Sequence, residues 1–169
     1  MKYRNTATVE ELRRRFNYDP ETGIVTYAVE LSDYKVHKGM VVGHRSGNGY
    51  LNVRINGLAY RLHRVVWALV HGQWPSSQVD HINGNRLDNR LANLRDVSHG
   101  VNQQNRRSAA RSNSSGLLGV QRANSKTNPF TARIRVDGKS FSLGAFPTPE
   151  EAHAAYLKAK RQLHEGCTI

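Results

Sequence analysis

The sequence predicts an α+β chain in two parts. A β-rich N-terminal scaffold leads into a strand–loop–strand–helix unit, and a small three-stranded antiparallel sheet with one helix follows. Three observations carry this. The dipeptides Asn56-Gly57 and Asp137-Gly138 each stand between alternating runs, the strongest short hairpin signal a sequence offers. The capping boxes Thr8-Val9-Glu10-Glu11 and Thr148-Pro149-Glu150-Glu151 open helices near the two ends. Between the halves lies "RRSAARSNSSG", small, polar and basic without periodicity, which is linker composition. Domains are accordingly drawn at residues 1–106 and 117–169, with a basic linker at 107–116.

In chain order, the first capping box is followed by Leu12 and Phe16 at helical spacing, predicting a helix near 8–16. Asp19-Pro20-Glu21-Thr22-Gly23 is turn chemistry leading to an extended run over 24–29. Residues 30–49 are ambiguous: loop, with a short strand over 40–43. The Asn56-Gly57 hairpin comes next, then an apolar helix over 61–71 that Gly72 and Pro75 stop. Short strands are expected over 78–82 and 91–97, flanking a polar loop, and Ser98 is a good N-cap for a helix over 100–107. In the second half, strands are expected at 117–122, 130–136 and 139–146. The last helix follows Thr148, with Ala152, Ala155, Tyr156, Ala159 and Leu163 on one face and Gly166 ending it.

Composition narrows the partners. The 169 residues carry 25 basic against 13 acidic side chains, a net charge of +12 that favours a polyanion, most commonly nucleic acid. The distribution sharpens this: between Asp96 and Asp137 no acidic residue occurs, whereas Arg106, Arg107, Arg111, Arg122, Lys126, Arg133 and Arg135 all fall there. No apolar run reaches the roughly 18 residues of a membrane span, and no hydrophobic signal region follows Met1. The single cysteine, Cys167, excludes a disulfide framework and a Cys-rich zinc site, so an intracellular setting at DNA is expected, without membrane.

"VDHINGNRLDNRLANLRDVSHGVNQQN", residues 79–105, holds six asparagines, which points to tight turns, a polar site or both. Hydrolysing a phosphodiester needs an activated water and stabilisation of anionic oxygens. His81 has the chemistry of a base near neutral pH. Asp80 offers a hard carboxylate oxygen and Asn102 a carboxamide oxygen, ligands suited to Mg²⁺ or Mn²⁺. Successive strand residues point to opposite faces, so Asp80 and His81 diverge unless the strand twists or ends there. Together with "HRVVWALVHGQWP" before it and "FNYDPETGIVTY" further upstream, this stretch resembles the HNH endonuclease family, particularly members found in bacteriophages and mobile introns. The resemblance covers about residues 9–107 and implies a ββα-metal core. It maps the His-Asn-His letters onto His81, Asn93 and Asn102, with Asn93 holding the loop and orienting His81. His99 is a weaker alternative to Asn102, and His63 is read as structural.

Residues 116–164, through Gly119-Val120, Ala132-Arg133-Ile134-Arg135, Leu143-Gly144, Phe146 and Glu150-Glu151-Ala152, resemble an APETALA2-like DNA-binding domain. That resemblance implies a three-stranded sheet on one helix. Strand parity sends Ala132, Ile134, Val136, Phe141 and Leu143 toward the helix. Arg133, Arg135, Ser142 and Gln121 fall on the opposite face, where an arginine can pair with guanine in a major groove. Arg122 and Lys139 suit edge phosphates, and Arg106, Arg107 and Arg111 can follow the backbone. Plant relatives carry tryptophans and more arginines on this face than Phe130, Ser142 and Gln121 supply. The expectation is a site-directed, homing-type endonuclease on double-stranded DNA, with a monomer favoured over a dimer. The competing expectation is a non-catalytic DNA-binding regulator.

Overall fold

In the computed structural model of the chain, which describes residues 7–31 and 36–169, the elements follow from their caps and turns. The chain divides into two compact units, Met1–Ser98 and His99–Ile169. Sequence composition draws the first part to residue 106, whereas by packing the helix after Ser98 belongs to the second unit.

In the first unit the Thr8 hydroxyl accepts a hydrogen bond from the Glu11 N–H and opens α1 (Val9–Arg15). The chain then turns directly into β1 (Phe16–Tyr18), which pairs antiparallel with β2 (Val25–Tyr27). The sequence hides β1 because Phe16 continues the helical spacing of Leu12. No strand forms over 40–43: Val41 makes a single bridge to Thr26, and the next strand, β3, is His44–Arg45. Residues 32–35 of the ambiguous segment lie outside the described residues. The strands β4 (Leu51–Ile55) and β5 (Leu58–Arg61) pair around Asn56 and Gly57, both at positive φ (50° and 77°), as a type I′ hairpin requires.

Helix α2 (Leu62–His71) follows, stopped at Gly72, and buries Leu62, Val65, Val66 and Ala68. It packs with Leu12, Phe16, Val25, Val53, Ile55 and Val79 in one core. Beyond it β6 (Gln78–His81) pairs antiparallel with β7 (Leu94–Val97). The strand expected from 91 begins later, because Leu91–Asn93 forms a single 3₁₀ turn. Two polar anchors set this pair, Arg64 buried and Asp96 half-buried. Arg64 donates to the Ser77 carbonyl, and Asp96 accepts from the Ser76 and Ser77 N–H groups. Such hydrogen bonding is what lets an arginine 4% exposed sit inside.

The second unit opens with α3 (His99–Gln104), shorter than expected, against which the Gly166 N–H is held by the Gln104 side chain. Asn113 and Ser115 then bond the carbonyls of Leu117 and Val120, so the supposed linker ends in an ordered turn. Strands β8 (Val120–Arg122), β9 (Phe130–Val136) and β10 (Lys139–Phe146) form one antiparallel sheet with β9 central. Helix α4 (Pro149–Leu163) is capped by Thr148. Val120, Ala132, Ile134, Ala152, Tyr156 and Ala159 form the core, with Leu143 half-buried against it. Two residues expected in the core are exposed. Phe141 is 49% exposed although it pairs with the buried Ile134 and so keeps the expected parity; the bulge between Ser142 and Gly144 comes after it and displaces Leu143 from the place opposite Ala132. Leu163 is also exposed, on the last turn of α4, while Lys160 takes a core place, its Nζ donating to the Arg106 carbonyl at 2.5 Å.

Candidate active site and nucleic-acid surface

The asparagines of residues 83–93 are turn builders first. The Asn83 side chain accepts from the Asn85 N–H (2.8 Å), and the Asn85 side chain accepts from the Leu87 N–H (3.1 Å). Asn93 closes the loop from the far side. Its Oδ1 accepts from the Asn83 N–H (2.9 Å) and its Nδ2 donates to the Asp88 carbonyl (2.8 Å). Asp88 is held well below the usual carboxylate range, chiefly by hydrogen bonds from Arg90.

Inside this loop sits Asn89, 1% exposed, whose Oδ1 lies 3.1 Å from His81 Nε2. A carboxamide oxygen only accepts, so Nε2 carries the proton and Nδ1 the basic lone pair. Burial, the largest influence, lowers the His81 pKa below its ordinary value, while the Asn89 bond and Asp80 pull the other way. The imidazole is therefore neutral at neutral pH, the form a general base needs. Asn89 Nδ2 is buried without a hydrogen-bond partner among the described residues, a rare condition in ordinary packing.

The N-terminal hairpin braces the loop. The Tyr18 hydroxyl accepts from the Leu91 N–H at 2.8 Å and donates to the Asn89 carbonyl at 3.1 Å. Gly23 passes so close that a Cβ there would lie 2.5 Å from the Arg90 nitrogen. The sequence shows the turn at 19–23 but not this contact, which joins residues more than sixty apart.

Asp80 and His81 are both buried, at 8% and 3% exposure. Both lie within the β6–β7 ladder, Asp80 opposite Arg95 and His81 opposite Leu94, so their side chains leave opposite faces of the strand pair, and β6 ends only after His81. Asp80 Oδ2 receives Arg95 Nη2 (2.9 Å) and Nε (3.1 Å) from the facing strand. Asn102 stands on α3 in the second unit, and His99 begins that helix. Among the described residues no three His, Cys, Asp or Glu side chains gather as a metal cage. The donors available are hard oxygens, a set that fits Mg²⁺ or Mn²⁺ and not a thiolate-bound ion.

A second histidine enters the site. His63 on α2 meets His81 edge to face at 4.9 Å, and Tyr50 lies 5.3 Å from His63 and 5.9 Å from His81. Burial, then the neighbouring His81, holds the His63 pKa well below its ordinary value. It is a packed, neutral histidine, as a structural role requires.

In the second unit Arg106, Arg107, Arg111, Gln121, Arg122, Arg133, Arg135, Lys139 and Ser142 are all exposed. Gln121, Thr131, Arg133, Ser140 and Ser142 share the sheet face away from the core, by the pairing of Gln121 with Thr131 and of Ser142 with Arg133. Arg106, Arg133 and Arg135 line one cavity of about 590 Å³ with Gln103, Tyr156 and His164. Arg107 is partly engaged, donating to Thr168. Arg122 lies 5.6 Å from the Phe130 ring, at the sheet edge.

Comparison with known proteins bears on the first unit and the start of the second. No curated protein matches the chain. One solved structure, "DNA binding and cleavage by the HNH homing endonuclease I-HmuI", aligns at 23% identity and a TM-score of 0.41, over 59% of this chain and 55% of that one. The present chain thus spans little more than half the length of that relative. The family model described as HNH endonuclease matches residues 60–104, the stretch that holds α2, the β6–β7 pair with its asparagine loop, and α3. Residues 60–104 of this chain are thus similar to the HNH endonuclease family, over about a quarter of the chain's length.

Proposed function

We propose that this chain is a metal-dependent endonuclease that nicks or cleaves double-stranded DNA and is directed to its site by the second unit. The observation that carries the reading is His81: buried, neutral, and fixed through Nε2 by Asn89, so that Nδ1 is the basic atom. In this role His81 takes a proton from the attacking water, and Asn89 holds the ring so that it does so from one direction. Asn93 keeps the 83–88 loop closed around that pair, a positioning role. Asp80 and Asn102 would hold Mg²⁺ or Mn²⁺, which when bound supplies electrostatic stabilisation of the phosphoryl and leaving oxygens. Arg95 sets the Asp80 carboxylate through Oδ2.

The APETALA2-like reading of the second unit rests on its sheet-and-helix order and on the exposed arginines of β9. Arg133, Arg135, Gln121 and Ser142 would read bases; Arg106, Arg107, Arg111, Arg122 and Lys139 would meet phosphates. A reading head joined to a cutter raises the local concentration of the active site at its target. The homing-type character, the monomeric state and an intracellular setting belong to this same proposal. Among the described residues, no helix is long and apolar enough to cross a membrane.

One observation favours a second reading. Asp80 already carries an ion pair with Arg95, which suits a DNA-binding regulator with an inert core as well as a metal ligand in waiting. Supercoiled plasmid separates the two. The nuclease reading expects nicked circles in Mg²⁺ or Mn²⁺ and none in EDTA. Unchanged plasmid in both metals, with DNA binding intact, would establish the regulator instead.

A further inference from the structure

The loop between β3 and β4 has no assigned purpose in the catalytic scheme, yet it is built with care. The Ser46 hydroxyl donates to Asn48 Oδ1 (2.6 Å), and the Ser46 N–H donates to the Tyr50 carbonyl (2.8 Å), closing a tight turn. Two arginines from elsewhere in the chain are drawn to it. Arg61, at the end of β5, sends Nη1 to Ser46 Oγ (3.1 Å), Asn48 Oδ1 (2.8 Å) and Asn52 Oδ1 (3.2 Å). Arg86, from the asparagine loop, sends Nη1 to the Asn48 carbonyl (2.7 Å). Its stem passes 3.8 Å from where a Cβ on Gly49 would stand.

Both guanidinium carbons then stack on one ring, lying 4.7 Å (Arg61) and 4.8 Å (Arg86) from the Tyr50 centroid. That ring is the one 5.9 Å from His81. Two like charges gathered on one aromatic ring repel each other, and a fold that merely wanted them solvated would let them part. Elsewhere in this unit arginines near the site meet carboxylates: Arg90 meets Asp88 and Arg95 meets Asp80. Among the described residues neither Arg61 nor Arg86 forms an ion pair. Each uses Nη1 on the protein and keeps further N–H donors of its planar fork for an external acceptor.

We propose that Arg61 and Arg86, presented by Tyr50 and the Ser46–Asn48 turn, form a two-pronged grip for the phosphodiester oxygens of DNA lying across His81. The inference rests on the nuclease reading and assigns a binding role to part of the otherwise unexplained 30–49 segment. Guanidinium forks match phosphate oxygens bidentately, and the neutral amides and hydroxyl that pin them leave their charge undiminished. The grip would set the register of the scissile strand without reading its sequence.

The test uses the full chain, EDTA to suspend cutting, and a short random-sequence DNA duplex. Affinity is measured across a salt series, and nicking is then measured in Mg²⁺. Arg86→Gln is the main variant, because this exposed side chain makes a single hydrogen bond and its loss spares the fold. Arg54→Gln, exposed on β4, removes the same charge elsewhere. The grip predicts a salt slope shallower by about one for Arg86→Gln, near wild type for Arg54→Gln, and restored by Arg86→Lys. It also predicts that nicking at subsaturating DNA falls with the affinity. A slope for Arg86→Gln no different from Arg54→Gln would overturn the grip. A shallower slope in a protein whose wild type never nicks would leave the grip standing and remove only the nuclease reading.

Discussion

At the scale of single residues the site depends on one imidazole and the carboxamide behind it. Asn89→Ala removes the acceptor that fixes the His81 tautomer, so nicking should fall by about 10- to 100-fold while DNA affinity in EDTA stays at the wild-type value. An unchanged nicking rate would show that the ring needs no such support. His63 makes a prediction of a different kind. Its folded pKa lies below the ordinary value of about 6.5, so below that pH the unfolded chain binds more protons than the folded one. Stability should therefore be full above that range and decline as pH falls through it. Urea midpoints measured from neutral to mildly acidic pH should show the decline, and His63→Gln should weaken it. Asp80, His81 and Asn93 could be put forward from the sequence because their chemistry and spacing are local. The Asn89 contact was not, because it depends on how a loop of successive side-chain turns folds inward, and the entry of Tyr50 and His63 depends on packing between distant segments.

At the scale of elements, the asparagine loop works because other elements hold it. The β1–β2 hairpin contributes Tyr18, and its turn presses Gly23 against Asn89 and Arg90. Gly23 sits at φ +74°, so Gly23→Ala combines backbone strain with a close contact. It should lower stability by about 1–3 kcal/mol and reduce nicking more than its thermal shift alone explains. Thermal midpoints and nicking rates on the same preparation check this; a variant with both at wild-type values would show that the brace is incidental. Elements with chemical punctuation were read correctly: the capped helices α1 and α4, the Asn-Gly and Asp-Gly hairpins, and the helix stopped by Gly72. Those without it were not. β1 was absorbed into helical spacing, β3 has only two residues, and the 3₁₀ turn before β7 replaces strand because Asn93 must reach back to Asn83. The bulge between Ser142 and Gly144 leaves no mark in the alternation of β10.

At the scale of the whole molecule, the charge of +12 and the acid-free stretch from 97 to 136 serve DNA binding in the proposed function. If the second unit directs cutting, Arg133→Gln with Arg135→Gln should scatter the positions of cleavage on mapped DNA fragments while total nicking at high protein persists. Unaltered positions would assign site choice to the first unit. The two-part organisation was visible as a change of pattern. Where one part yields to the other was not, since α3 follows the β6–β7 pair in sequence but packs with the C-terminal residues.

The claim on which the account turns is that His81 is the base that activates water. Single-turnover nicking of supercoiled plasmid by His81→Ala, at a protein concentration that binds all the DNA, tests it most directly. The account predicts a loss of at least about 100-fold with binding retained; nicking at the wild-type rate would contradict it.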